Sequence, residues 1–183
     1  MIEFRSLTSV TPDVFPLLSA GYSTMERYVV TKMETRERTV FSLDLETLTE
    51  PYVKRFELND GDLTHYHEVV EQGFSLGAWE GSRLVGVAIA EWWRWNNCLW
   101  IWEFHVAPDR QGQGIGRAMA DELLNRARLA GVSMVGGETQ NTNVPAISAY
   151  RKFGAEIAGL DLSYYGDNLA ARGEIAVFVR RKI

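Results

Sequence analysis

A glycine-rich run between residues 109 and 117 has the residue types and spacing needed to bind a diphosphate. It reads Asp109-Arg-Gln-Gly-Gln-Gly-Ile-Gly-Arg117. Glycine lets a backbone approach an anion closely, and the first N–H groups of a helix have no partner within that helix. The helix dipole adds a partial positive charge at the same end. The run therefore predicts a phosphate-binding site, provided that a helix begins here.

The segments on both sides of the run supply the strand and the helix that such a site requires. Bulky apolar residues alternate with other side chains over Leu99–Val106, which is typical of a half-buried strand, and Pro108 then ends it. An apolar residue recurs at every fourth position afterwards, at Ile115, Met119, Leu123 and Ala127. This spacing predicts an amphipathic helix that packs on the strand.

Two common phosphate-binding signatures do not fit this run. A dinucleotide fingerprint that began at Gly112 and Gly114 would need its third glycine at position 117, which is Arg117. A P-loop needs Gly-Lys followed by Ser or Thr, and that sequence is absent. The ligand is therefore expected to belong to another class of phosphate compound.

The pattern Gln111-x-x-Gly114-x-Gly116 resembles the pyrophosphate loop of the GNAT superfamily of acyl-CoA-dependent N-acetyltransferases. So short a pattern taken alone also fits an ordinary glycine-containing helix start. A second segment, Glu138–Gly154, resembles a later motif of the superfamily, with an Asn, an Ala and a Tyr before a closing Phe-Gly. Within the superfamily, about the last hundred residues look like the streptothricin acetyltransferase group, whereas about the first seventy carry little resemblance.

The resemblance implies that acetyl-CoA is the cosubstrate and that its pyrophosphate lies on the loop. The loop residues that would bind it are Gln111, Gly112, Gln113, Gly114, Ile115, Gly116 and Arg117. The backbone N–H of Val106 would stabilise negative charge on the acyl carbonyl. Asn143 would contact the cofactor arm or an ordered water, and it is equally well placed to cap the helix that follows it.

A base or a proton-relay water is expected to take a proton from the acceptor, because a primary alkylamine is protonated near neutral pH and only the neutral amine attacks a thioester. Glu103 is the candidate base, since it is the acid on the strand that leads into the loop. The alternative is that Glu103 pairs with a basic neighbour or meets solvent. His105 shares a strand face with Glu103 and would relay the proton, or else serve as a packed structural histidine.

Tyr150 matches the tyrosine that the superfamily uses as a general acid. A proton donor near the departing coenzyme A thiolate would speed its release. The alternative is that Tyr150 packs its ring on the core of the protein. No cysteine or serine stands beside a base in the sequence, so we expect direct attack of the amine without an acyl-enzyme.

Composition favours one globular domain over residues 1–183. The chain is 46% hydrophobic and 23% charged, which allows a single sizeable core. A net charge of -5 with no visible basic patch argues against nucleic acid as a partner. The sequence shows neither a long apolar run nor a leader peptide, so no membrane association is expected and the default location is cytoplasmic.

No metal site is expected. Cys98 is the single cysteine and has no partner for a disulfide or a paired-cysteine metal site. His65, His67 and Glu68 are close in sequence, but on one helical turn they would point in different directions.

The order of predicted elements indicates an α/β (α+β) fold in which helices cover a mixed sheet. The predicted strands are Ile2–Leu7, Phe74–Trp79, Leu84–Trp93, Leu99–Val106, Ser133–Glu138, Ile157–Tyr165 and Glu174–Val179. The predicted helices are Pro12–Ala20, Ser23–Thr35, Asp62–Gln72, the helix after the glycine run and Val144–Lys152, with an irregular region around Pro51. The resemblance implies the GNAT fold, a mostly antiparallel sheet of six to seven strands flanked by about four helices.

Five tryptophans crowd one predicted hairpin, at Trp92, Trp93, Trp95, Trp100 and Trp102. They would pack the core and the sheet edge, or else form an acceptor pocket or a homodimer surface.

Together with the resemblance, the sequence predicts acetyl transfer to a primary amine of a small molecule, with a streptothricin-like antibiotic as the narrower hypothesis. Two residue patterns depart from that group: Ala155 replaces a phenylalanine, and the strand Trp-Glu-Phe-His lacks a second acid. The alternatives are another small-molecule or protein amine as acceptor, or a non-catalytic acyl-CoA-binding sensor.

Overall fold

The structure, a computed structural model, describes residues 1–12, 14–18, 20–56, 59–166 and 173–183. Its elements in chain order are β1 (Ile2–Ser6), α1 (Phe15–Leu18), β2 (Tyr22–Glu34), β3 (Thr39–Lys54), α2 (Asp60–Val70), β4 (Leu76–Glu80), β5 (Arg83–Trp93), β6 (Cys98–Val106), α3 (Ile115–Leu129), β7 (Met134–Gln140), α4 (Val144–Lys152), β8 (Glu156–Asp161) and β9 (Ala176–Lys182). Contacts divide the chain into two compact units. The first comprises Met1–Gly21, Arg55–Gly137 and Arg180–Ile183, and the second comprises Tyr22–Lys54 and Glu138–Val179.

A mixed sheet forms the centre of the fold, in the strand order β1-β4-β5-β6-β7-β9-β8. The pairs β1–β4, β4–β5 and β5–β6 are antiparallel, whereas β6 and β7 run parallel. Within the described residues this sheet has seven strands, and four α-helices accompany it. The predicted fold class is therefore confirmed.

The first unit contains a large apolar core built on β4, β5 and β6. The central strand β5 is buried over Leu84–Ala90, since helices cover both of its faces. Helix α3 buries the predicted stripe of Ile115, Met119, Leu123 and Ala127 in this core. This packing fixes the start of α3 beside the end of β6.

The second unit contains a smaller core and a two-stranded sheet, β2–β3. Helix α4 packs its buried residues Val144 and Ile147 against Tyr28 of β2 and against Val177 and Val179 of β9. The helix predicted over Val144–Lys152 is observed with the same bounds.

The helix predicted over Ser23–Thr35 is wrong, because this segment forms strand β2. Its residues pair with β3 from Tyr22↔Lys54 to Glu34↔Thr39. The apolar positions Met25, Tyr28 and Val29 fit a helical period, but the run Tyr28-Val-Val-Thr31 is aromatic and β-branched. Such residues favour strands, and the pairing with β3 decides the outcome.

The irregular region predicted around Pro51 lies instead inside β3. The register of the hairpin shifts here, since Thr24 faces Tyr52 while Glu26 faces Thr47. Pro51 falls between these two pairs, where its missing N–H interrupts no ladder. The strand can therefore continue through the proline.

Other predicted elements are present with different bounds. The helix predicted over Pro12–Ala20 is only Phe15–Leu18, and two residues of that prediction, Asp13 and Ser19, lie outside the described residues. The strand predicted over Ile157–Tyr165 ends at Asp161, where the chain turns. No helix among the described residues is both long and apolar enough to cross a membrane.

Candidate active site

Glu103 lies between two side chains that contact its two carboxylate oxygens. The Tyr66 hydroxyl of α2 donates a hydrogen bond to Oε1 at 2.5 Å, and His105 Nε2 lies 2.5 Å from Oε2. The side chain of Glu103 is 20% exposed and that of His105 is 17% exposed. The carboxylate is thus oriented by two partners while part of its surface remains accessible.

A β-bulge in β6 places Glu103 on this face. Ile89 of β5 faces Glu103 while the next residue, Ala90, faces Ile101, so that Trp102 has no opposite residue. A bulge bends its strand and redirects the side chains beside it. Glu103 and His105 share a face as predicted, while Phe104 and Val106 lie near Gly116 of α3.

Aromatic rings surround this cluster. His65 of α2 packs edge-on against Trp102 with ring centroids 4.7 Å apart, and Phe56 packs edge-on against His105 at 6.3 Å. Burial and the Glu103 carboxylate raise the pKa of the Tyr66 hydroxyl above its ordinary value of 10.0. Tyr66 therefore stays protonated throughout the neutral pH range, and its hydroxyl remains a hydrogen-bond donor to Glu103.

The glycine run turns sharply between β6 and α3. Gly112 has φ 73° and Gly114 has φ 84°, which are left-handed conformations that favour glycine. An added Cβ at either position would meet no atom within 4 Å, so these glycines serve the backbone conformation and leave the surface of the loop open. An anion could therefore approach this backbone closely.

Helix α3 begins at Ile115 without a side-chain cap, since its N-cap residue is Gly114. The first N–H groups of the helix consequently depend on partners outside the side chains of the cap. The amides and the helix dipole at this point suit a diphosphate, so the residues present fit the pyrophosphate of acetyl-CoA. Gln111 and Gln113 are turned back to the carbonyls of Val106 and Asp109, which braces the loop.

Ion pairs hold the beginning of the loop. Arg83 makes two hydrogen bonds to Asp109 at 2.7 and 2.8 Å, and Arg110 pairs with Glu80 at 2.8 Å. The Arg83 guanidinium lowers the pKa of the Asp109 carboxyl below its ordinary value. Arg117 pairs with Asp121 one turn further along α3, at 2.9 Å.

The backbone of Val106 has the orientation that an oxyanion donor would need. Ala107 N donates to Val85 O, and Val106 lies opposite Gly86 in the antiparallel ladder. Because inward and outward amides alternate along such a ladder, the Val106 N–H points away from β5. The parallel pairing of β6 with β7 covers only Cys98–Ile101, so Val106 lies beyond its end.

Asn143 and Tyr150 belong to the second unit. The Asn143 side-chain oxygen accepts from Ala146 N at 3.2 Å, and its NH₂ group donates to Thr139 Oγ1 at 3.0 Å. The capping interpretation of Asn143 is thereby confirmed. Tyr150 is half-buried on α4 and packs against the small core of this unit.

A buried ion pair fastens the β2–β3 hairpin within the second unit. Glu174 is 1% exposed, and Lys54 of β3 contacts both of its oxygens at 2.7 and 2.8 Å. The Tyr52 hydroxyl donates to the same carboxylate at 2.5 Å. Tyr165 donates to Glu138 nearby in the same unit, and its burial raises the pKa of its hydroxyl.

Sequence reasoning missed Tyr66 as a partner of Glu103. The two residues are 37 positions apart, and no local pattern links them. The available signal was the predicted amphipathic helix, on which Tyr66 shares the buried face with Val69 and Val70.

Cys98 is fully buried, and no group of metal ligands occurs among the described residues, His65 and His67 included.

Comparison with known proteins identifies the family to which this fold belongs. Residues 38–155 match the family model described as Acetyltransferase (GNAT) family. The chain therefore belongs to the GNAT acetyltransferase family.

Three individual proteins are similar to this chain, among them a streptothricin acetyltransferase and a nourseothricin acetyltransferase. A streptothricin acetyltransferase of Streptomyces lavendulae is 38% identical over 96 residues, which is 52% of this chain and half the length of that relative. The crystal structure of a nourseothricin acetyltransferase is similar with a TM-score of 0.77 and 28% identity, over 99% of this chain and 98% of the other. A Bacillus anthracis protein solved in complex with acetyl coenzyme A shares the fold, with a TM-score of 0.72 and 20% identity over the full length of both chains.

Proposed function

We propose that this protein transfers the acetyl group of acetyl-CoA to a primary amine of a streptothricin-like antibiotic. The relatives that support this acceptor are the streptothricin and nourseothricin acetyltransferases. The observation that carries the proposal is the carboxylate of Glu103, oriented by Tyr66 and His105 on the strand that leads into an uncapped, glycine-rich helix start.

Glu103 would act as the general base. It takes a proton from the acceptor ammonium, and the freed nitrogen lone pair attacks the thioester carbonyl carbon. The carbon–sulfur bond then breaks, and the nitrogen releases its second proton to solvent as the amide forms. The sulfur leaves as a thiolate that must gain a proton. His105, in contact with the second carboxylate oxygen, offers a route by which the proton on Glu103 passes to solvent.

The remaining proposed roles concern the cosubstrate. The backbone of Gln111, Gly112, Gln113, Gly114, Ile115, Gly116 and Arg117 would bind its pyrophosphate. The outward N–H of Val106 would stabilise the negative charge that develops on the acyl oxygen. Asn143 would contact the cofactor arm. Tyr150 would be the acid that protonates the thiolate.

A thiol-release assay with acetyl-CoA tests this function. The panel of acceptors is streptothricin, a polyamine, an aminoglycoside and a peptide with a free amine. We expect release with streptothricin at the highest kcat/KM. Thiol release with another acceptor but not with streptothricin would overturn the antibiotic assignment. Binding of acetyl-CoA with no thiol release for any amine of the panel would identify an acyl-CoA sensor.

Glu103→Gln tests the role of the base in the same assay. The amide keeps the size of the side chain but cannot accept the amine proton, so we expect kcat to fall by roughly a hundredfold or more. The affinity for acetyl-CoA, measured by calorimetry, should stay within about twofold because the glycine loop is unchanged. Full turnover in Glu103→Gln would remove this residue from the mechanism, as full turnover in Tyr150→Phe would for Tyr150.

A further inference from the structure

A second carboxylate, Glu91, lies on the same face of the β5–β6 pair as Glu103. Ile89 is opposite Glu103, and Glu91 is two residues further along β5. Opposite residues share a face of an antiparallel pair, and so do residues two apart on one strand. From the strand rise and the strand spacing, the two glutamates lie roughly 8 Å apart at their Cα atoms.

Two indole groups hold Glu91 by one of its oxygens. Trp102 Nε1 donates to Oε2 at 2.8 Å, and Trp93 Nε1 donates to the same oxygen at 3.0 Å. No hydrogen bond from the described residues reaches Oε1. Trp102, the residue next to Glu103, thus holds the carboxylate of Glu91, which keeps one oxygen for a ligand.

An open groove of about 530 Å³ adjoins Glu91 and has aromatic walls. Phe74, Trp93 and Trp95 line it together with Glu91. Trp93 stacks on Trp100 with ring centroids 4.3 Å apart, which fixes its plane, and Trp95 is 82% exposed. Indole faces attract cations, and a carboxylate beside them strengthens that preference.

We propose that this groove binds a second cationic group of the acceptor, an ammonium or a guanidinium, while the amine to be acetylated lies at Glu103. The inference rests on the proposed acetyl transfer and specifies its substrate class: a polycation whose charges reach both carboxylates. The acceptor is therefore selected by two carboxylates on adjacent strands.

Arg94 allows a second, opposite test of the proposal. It lines the same groove as Glu91 and carries a positive charge, whereas Glu91 carries a negative one. The Arg94 guanidinium lies 4.1 Å from the centre of the Trp92 ring, so one face of that indole is already covered by a cation. Removing the charge of Arg94 should strengthen the binding of a cationic ligand, whereas removing that of Glu91 should weaken it. General damage to the groove would weaken binding in both variants.

The test is calorimetric titration of the whole chain with two probes, hexamethylenediamine and aminohexanol, which differ by one terminal charge. We expect the wild type to bind the diamine about tenfold more tightly. The preference should vanish in Glu91→Gln, whose amide oxygen can still accept both indole hydrogens, and should increase in Arg94→Gln. Glu156→Gln removes an equal charge at an exposed position of β8 and should leave the preference unchanged.

Three results would overturn this inference: equal affinities in the wild type, an unchanged preference in Glu91→Gln, or no saturable binding of the diamine. Titration of the same preparation with acetyl-CoA separates the two proposals. If acetyl-CoA binds and amines are acetylated while the preference is absent, the groove assignment fails and the proposed function stands. If acetyl-CoA does not bind, the proposed function fails.

Discussion

Contacts at both oxygens give the Glu103 carboxylate one orientation before any acceptor arrives. Tyr66 comes from helix α2, whereas His105 comes from the same strand as Glu103. A base held in this way loses little freedom when the amine binds, which favours proton transfer. The adjacency of Glu103 and His105 follows from strand periodicity, but the contact with Tyr66 depends on tertiary packing and was beyond sequence analysis.

Tyr66→Phe tests whether this orientation affects catalysis. The substitution keeps the ring in the core and removes one hydrogen bond to a charged group, so we expect kcat/KM for the amine to fall roughly tenfold to a hundredfold. The loss should lie in kcat rather than in KM for the amine, since the donor orients the base. KM for acetyl-CoA should not change.

A purely structural Tyr66 would give a different result. The free energy of unfolding would then fall while kcat stayed near the wild-type value. Tyr164→Phe, at a tyrosine that is 48% exposed, is the matched control and should leave both quantities as in the wild type.

Two loop glycines are expected to respond differently to substitution by alanine. Gly114→Ala should lower the free energy of unfolding by about 1 to 2 kcal/mol, because φ is 84° there. Gly116→Ala should leave it unchanged or raise it, since the new Cβ would lie 3.5 Å from Val106 and 3.7 Å from Phe104, which is ordinary contact. Urea unfolding measures both, and equal losses would contradict the account.

At the scale of elements, strand β6 and helix α3 do most to position the site. Their periodicities are strong and local, so the strand, the loop and the helix could be predicted from sequence with small errors in their bounds. The bulge at Trp102 could not, because it is defined by the register against β5. Hairpin β2–β3 was mispredicted as a helix and an irregular region for the same reason, since its ladder joins residues up to 32 positions apart, as in Tyr22↔Lys54.

The buried ion pair of the hairpin makes a strong prediction about stability. Lys54→Met leaves the carboxylate of Glu174, 1% exposed, without its counter-ion, so the free energy of unfolding should fall by about 3 to 5 kcal/mol. Lys32→Met is the control on the same hairpin. Its partner Glu34 is 56% exposed, and the expected loss is small because solvent screens an exposed ion pair. Chemical denaturation that gave similar losses for both would show that Glu174 does not depend on Lys54.

At the scale of the whole molecule, buried tyrosines link stability to alkaline pH. Burial raises the pKa of Tyr22, Tyr66 and Tyr165 above the ordinary value of 10.0, and for Tyr66 and Tyr165 a neighbouring carboxylate adds to the shift. The unfolded chain releases these protons near pH 10 while the native protein retains them. The free energy of unfolding should therefore be unaffected by these groups below pH about 9 and fall as the pH rises above about 10.

Phenolate absorbance and urea unfolding, measured from pH about 8 to about 11, check this expectation. The native protein should show fewer titrating tyrosines than its seven before the unfolding transition. If all of them titrated near pH 10 in the folded protein, the buried hydrogen bonds of Tyr66 and Tyr165 would be excluded.

The proposed function depends on the glycine loop at the start of α3, which we infer binds the diphosphate of acetyl-CoA. Calorimetric titration of the folded protein with acetyl-CoA tests this binding, with Gly114→Ala measured alongside. We predict saturable binding with one site per chain and a weaker affinity in Gly114→Ala. The absence of any heat of binding from folded wild-type protein would contradict the claim.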